Sequence, residues 1–181
     1  MPTPIRRIVT GHDQNGRAVI LIDGPAPNQK IRAANRVVST LLWASDETPA
    51  DASSNRDRAD REIGVAPPTG GSVFRIVEFP PASEAGAFDN AAMLAELGLG
   101  PDAGDGRHAS THRTRSLDYA IVLEGEIDMA LDEAQVRLRA GDAIVQQATN
   151  HAWINNSDKP CRVAFVLLDA QQPPQWDTPK R

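Results

Sequence analysis

Two histidines and one short acid, set in three separate strand-like stretches, have the types and spacing to do chemistry: His112, Asp118 and His151. Side chains on a strand alternate faces. His112 therefore shares a face with Thr114, Asp118 with Ala120 and Val122, and His151 with Trp153 and Asn155. If these faces line one interior, two imidazoles and a carboxylate converge. Such a set suits first-row divalent metals and leaves coordination positions open for substrate, water or dioxygen. The expected cofactor is one divalent ion (Fe, Mn, Zn or Ni) on His112, Asp118 and His151. The expected substrate pocket is formed by Thr114, Ala120, Val122, Gln147, Trp153 and Asn155.

Each residue has a plainer alternative. His112 and His151 could be rim histidines, and Asp118 a strand-start residue capping a turn. Trp153 could belong to the core. Tyr119, of opposite parity to Asp118, is expected on the outer face, and Glu124 and Glu126 in solvent. His108 reaches the site only if the connector before it folds inward, and His12 is expected to be exposed.

Strand signals dominate the elements that must position these residues. Residues 6–10 and 17–22 are β-rich runs flanking Asn15-Gly16, a hairpin signature. Residues 37–44 and 72–79 are further strands, the second stopped by Pro80-Pro81. Residues 47–71 lack any apolar period and are expected to be loop. Residues 90–99 carry Met93, Leu94, Leu97 and Leu99, enough for one short helix ended by Gly98 and Gly100-Pro101. From residue 116 strands follow closely, at 116–123, 125–131, 135–140, 143–146, 151–155 and 162–168. Many short strands separated by turn residues argue for an antiparallel sandwich or barrel. One structural domain is expected: residues 1–80 completing or extending the barrel, 81–106 a connector with the helix, 107–170 the barrel core, and 171–181 a polar tail.

Composition narrows the partners. A formal net charge of −5 gives nucleic acid little electrostatic support. The single cysteine, Cys161, cannot form an intrachain disulfide, which fits a reducing compartment. The N-terminal residues have no apolar run of the secretory kind, and no stretch approaches the roughly 20 apolar residues that span a bilayer. A soluble cytoplasmic protein is expected, with a small-molecule partner and neither nucleic acid nor membrane. There is no Gly-rich phosphate loop, no G-x-S-x-G elbow and no cysteine pair for zinc.

The same residues resemble the cupin superfamily. Its first motif, G(X)5HXH(X)3–4E(X)6G, is matched by His112, by Thr114 in place of the second histidine, by Asp118 in place of the glutamate, and by Gly125. Its second, G(X)5PXG(X)2H(X)3N, is matched at its ends by Gly141, His151 and Asn155, with one residue fewer between and Gln147 where a proline is expected. The resemblance implies an antiparallel jelly-roll β-barrel and an all-β fold. It also implies a metal-dependent enzyme on a small organic molecule: a dioxygenase, decarboxylase, isomerase or lyase. The 2-His-1-carboxylate set tilts this toward iron-dependent oxidation, with a metal-Lewis-acid isomerase or lyase, or a non-catalytic binding module, as alternatives. Thr114 implies weaker metal binding. Cupins commonly pair through their sheets, so a homodimer is expected, with residues 1–45 as a possible exchanged arm.

Overall fold

The computed structural model describes residues 4–84, 89–104 and 108–177. Parts of the expected connector (85–88 and 105–106), residue 107 of the expected core, and the last four residues of the tail lie outside these.

The first strands, β1 (Arg6–His12) and β2 (Ala18–Pro25), pair as an antiparallel hairpin. The main sheet has six antiparallel strands: β3 (Gln29–Ile31), β4 (Val38–Ser45), β5 (Ser72–Phe79), β11 (Cys161–Asp169), β6 (Ser116–Glu124) and β9 (Ala143–Gln147), in that spatial order. A second sheet runs β10 (Ala152–Ile154), β7 (Glu126–Ala130), β8 (Gln135–Arg139). The two sheets enclose the core of an antiparallel jelly-roll barrel. The one α-helix among the described residues, α1 (Asn90–Leu97), packs Met93, Leu94 and Leu97 as a satellite core. Its N-terminus is capped by the Asp89 carboxylate, which accepts from Ala92 N at 3.1 Å, and it ends on Gly98 in the left-handed conformation. No helix among the described residues is long and apolar enough to cross a membrane.

Alternation decides what faces inward. In β11, Cys161, Val163, Phe165 and Leu167 are buried; in β6, Ser116, Asp118, Ala120 and Val122 are buried, while Tyr119, Ile121 and Leu123 are exposed. β5 buries Val73, Arg75, Val77 and Phe79. Register then fixes the neighbours. Phe165 lies between Arg75 of β5 and Ala120 of β6, and Asp118 lies between Leu167 of β11 and Gln146 of β9. The β6–β7 corner turns on Gly125, at φ 77°, where an added Cβ would stand 2.8 Å from the Pro160 carbonyl oxygen. Only glycine takes that conformation in that space.

Candidate functional site

His112 and His151 sit outside the named strands and pair as an isolated antiparallel bridge. Each backbone N–H donates to the other's carbonyl at 3.0 Å. This direct opposition brings the ring centroids to 4.5 Å. Both rings are locked by local carbonyls: Nδ1 of His112 lies 3.0 Å from Ser110 O, and Nδ1 of His151 lies 3.0 Å from Thr149 O. A carbonyl can only accept, so Nδ1 carries the proton and Nε2 keeps its lone pair. Burial lowers the His112 pKa to about 4. Burial, followed by the proximity of His112, lowers that of His151 to about 3. Both imidazoles are neutral at pH 7.

Asp118 is 4 % exposed. Its Oδ2 accepts from Gln146 Nε2 at 2.9 Å, and its Oδ1 has no hydrogen-bond partner. Burial pushes the carboxyl up to about 6, with the nearby Ser116 hydroxyl and the Arg75 charge pulling the other way. Arg75 is 6 % exposed, and its Nη2 donates to Gly64 O at 2.7 Å.

These groups line one cavity of about 70 Å³, walled by Phe79, Trp153 and Phe165 and edged by Thr114. The three aromatic rings pack with centroids 5.3 to 6.5 Å apart. Of the residues expected at the site, His112, Asp118, His151, Thr114 and Trp153 therefore share one cavity. Among the described residues, however, no three His, Cys, Asp or Glu side chains gather closely enough to hold one metal ion. The imidazoles offer two nitrogen donors, and Asp118 keeps Oδ1 uncommitted while its Oδ2 accepts from Gln146. As they stand, the three expected ligands are not gathered as one closed centre.

Four pocket expectations are corrected. Ala120 and Val122 face inward but belong to the packed core. Asn155 is buried as a turn brace: its Nδ2 donates to Phe79 O at 2.9 Å and Lys159 O at 2.7 Å, and its Oδ1 accepts from Ser157. Gln147 is exposed and lines a surface groove beside Trp176; its neighbour Gln146 is the inward residue. β9 runs one residue further than expected, and parity along it places Ile144 and Gln146 on the inner side. His108 binds Ser110 Oγ through Nδ1 at 2.7 Å and is exposed, away from the cavity. His12 is also exposed.

Sequence reasoning missed Arg75, Gln146 and Arg32. Arg75 had a signal: it interrupts the otherwise apolar series Val73, Val77, Phe79 on one face of β5. Arg32 follows a three-residue strand and carried none.

A protein-family model described as Cupin domain matches residues 98–167. Over 170 residues the chain is 32 % identical to the cupin-domain-containing oxidoreductase fogC of Aspergillus ruber, covering 90 % of this chain and 71 % of that protein. The chain belongs to the cupin family. Cupin-domain-containing oxidoreductase srdD of Neurospora crassa is 30 % identical over 93 % of this cupin and 76 % of its own length. Phomopsin biosynthesis cluster protein C' of Diaporthe leptostromiformis is 33 % identical over 91 % and 78 %. The crystal structure of a Cupin 2 conserved barrel domain protein from Salinispora arenicola superposes on 78 % of this cupin and 82 % of that chain, with a TM-score of 0.41 and 14 % identity.

The cupin corner motif explains one further feature. Counted back from His151, its glycine falls on Ala148, which has φ 53°. The left-handed corner is kept without its glycine, at a cost of about 1–2 kcal/mol for a residue with a Cβ. The same count places Gln146, not Gln147, at the motif's proline.

Proposed function

We propose that this cupin is an oxidoreductase acting on a small organic molecule held between the imidazole pair and Asp118. The names of fogC and srdD support the reaction class. The observation that carries the chemistry is Asp118: a buried carboxyl that ionises at about pH 6, with one oxygen uncommitted, in the same cavity as two neutral imidazoles and a guanidinium. Such a carboxyl is suited to taking and returning a proton near neutrality. The Nε2 atoms accept hydrogen bonds from substrate O–H or N–H groups and orient it. Arg75 stabilises negative charge developing on a substrate oxygen. A proton leaves a carbon next to a carbonyl for Asp118 Oδ1. The electron pair left behind attacks dioxygen, a C–O bond forms, and the proton returns to the distal oxygen, giving a substrate hydroperoxide.

The iron-dependent form of this oxidation would need a third protein ligand beside His112 and His151, and among the described residues no carboxylate gathers with them closely enough to serve. The test is oxygen uptake with a panel of 1,3-dicarbonyl and phenolic compounds, with and without chelator, on wild type and Asp118→Asn. Uptake that survives chelator and disappears in the variant is expected. Uptake lost with chelator and restored by iron would return the chemistry to a metal. Proton exchange without oxygen uptake would make the protein an isomerase.

A further inference from the structure

The inner cavity is too small for a whole substrate. Its 70 Å³ is less than half of an engineered cavity of about 150 Å³ that admits benzene. Outside it lies a groove of about 670 Å³, formed by β3, residues 61–65 and the end of α1. Arg32, Val65 and Arg75 line both compartments and so form the wall they share.

That wall carries two guanidiniums and no ion pair. Among the described residues, neither Arg32 nor Arg75 has a carboxylate within 4.0 Å. Asp118 acts on Arg75, and Glu96 on Arg32, only through space. The two arginines also repel each other, and burial lowers each to a pKa of about 10, still cationic at pH 7. Arg75 Nε is sealed from solvent with no acceptor, as is Nε of Arg7, so the difference between them lies in the ion pair. The chain neutralises a structural arginine differently. Arg7, equally buried, holds Asp57 in a two-pronged ion pair at 2.9 and 2.5 Å. A buried charge without a carboxylate partner is costly, so Arg75, with the half-buried Arg32 beside it, marks a site completed by a ligand. Around the outer groove, with Arg61 paired to Asp46 at 2.8 Å, Lys30, Arg32 and Arg75 still outnumber Glu62 and Glu96, on a chain whose net charge is −5.

We propose that the substrate is an organic anion spanning both compartments, with its negative group seated at Arg75 and Arg32, its reacting end inside beside His112 and His151, and its body in the outer groove. The anion is a carboxylate or an enolate-type oxygen, and an arginine fork suits either. This assignment deepens the oxidoreductase reading and rests on the same cavity. Benzoate and its uncharged isostere benzamide are the probes, with affinity read by calorimetry. Benzoate is expected to bind at least tenfold more tightly than benzamide, as a charge-assisted contact implies. Arg32→Gln, at a half-buried position with no side-chain hydrogen bond to lose among the described residues, is expected to weaken benzoate at least tenfold and leave benzamide unchanged. Arg75→Gln, if it folds, does the same. Equal affinity for the two probes, or benzoate binding unaltered in Arg32→Gln, overturns the proposal. Binding needs no turnover, so the two readings fail separately. Benzoate bound without oxidation of any compound sinks the oxidoreductase reading alone. A neutral substrate oxidised as fast by Arg32→Gln as by wild type sinks the anion site alone.

Discussion

Replacing Asp118 with asparagine tests whether the carboxyl at the centre of the site is held against its own ionisation. In the folded protein its pKa is raised from 3.8 to about 6 by burial. A raised carboxyl pKa means that the folded state binds the proton more tightly than the unfolded chain does. The stability this gives is fully present below about pH 3.8 and is lost as pH rises through about 6. The shift corresponds to about 3 kcal/mol. Asparagine has nearly the same shape and keeps an oxygen for Gln146 Nε2, but never ionises. Any fixed cost, such as an amide nitrogen in place of the unpartnered Oδ1, is independent of pH and cancels when the difference between the two proteins is followed. The histidine titrations cancel too, being common to both. Urea unfolding of wild type and Asp118→Asn at pH 4, 5, 6 and 7 should show the variant gaining about 2.4 kcal/mol relative to wild type across this range, the rest of the shift lying below pH 4. A flat difference would refute the argument. A difference of opposite slope would show an acid held ionised by a nearby cation, the behaviour of a metal ligand.

His112 and His151 should act in the opposite sense. Their folded pKa values, about 4 and about 3, lie below the ordinary 6.5, so the stability they contribute is present above pH 6.5 and is lost as pH falls toward 4. Acid unfolding monitored by circular dichroism should begin near pH 6 and flatten in a His112→Asn/His151→Asn double variant. Gln146→Leu removes the donor to a buried carboxylate and should cost about 1.5–3 kcal/mol at pH 7, while Gln147→Ala, on an exposed side chain, should stay within about 0.5 kcal/mol; urea midpoints compare them. The outer face of the main sheet carries a continuous apolar row, Phe74, Val166, Tyr119 and Val145, beside Ile76, Ala164 and Ile121. We propose it as the surface of the expected homodimer. Ile121→Glu should then halve the mass seen by sedimentation equilibrium, and an unchanged mass would remove this face from consideration.

The strand boundaries were legible because burial follows a period of two. β5, β6 and β11 alternate strictly; Pro80-Pro81 stops β5, Gly125 turns β6 into β7, and Gly141-Asp142 turns β8 into β9. Parity assigns His112, Asp118 and His151 each to a face, the cupin resemblance implies that those faces meet, and all three residues line one cavity. The motif count, not parity, fails where it crosses an irregular corner. Counting forward from Gly141 made Gln147 the inward residue. Counting back from His151 gives Gln146, because the corner is one residue short and its turn falls on Ala148. Arg32 was invisible for another reason: its role comes from a meeting of β3, residues 61–65 and α1 that no local pattern encodes.

Thr114, Asp118, Gln146 and Arg75 make sense together rather than singly. The first motif loses an imidazole at Thr114, whose hydroxyl is committed to Ser116 at 2.8 Å. The acid is one methylene shorter than glutamate, and its Oδ2 is held by Gln146 from the adjacent strand. Two guanidiniums already make the cavity wall positive. A divalent ion placed between the imidazoles and Asp118 would add two charges beside them, in a region of low dielectric where like charges repel far more strongly than in water. An organic anion relieves the same field. The groups that weaken a cation site here are those that strengthen an anion site. Removing one arginine should therefore move the two affinities in opposite directions: Arg75→Gln should bind benzoate more weakly and Zn²⁺ more tightly than wild type, and a variant in which both affinities fall together would break the link between them.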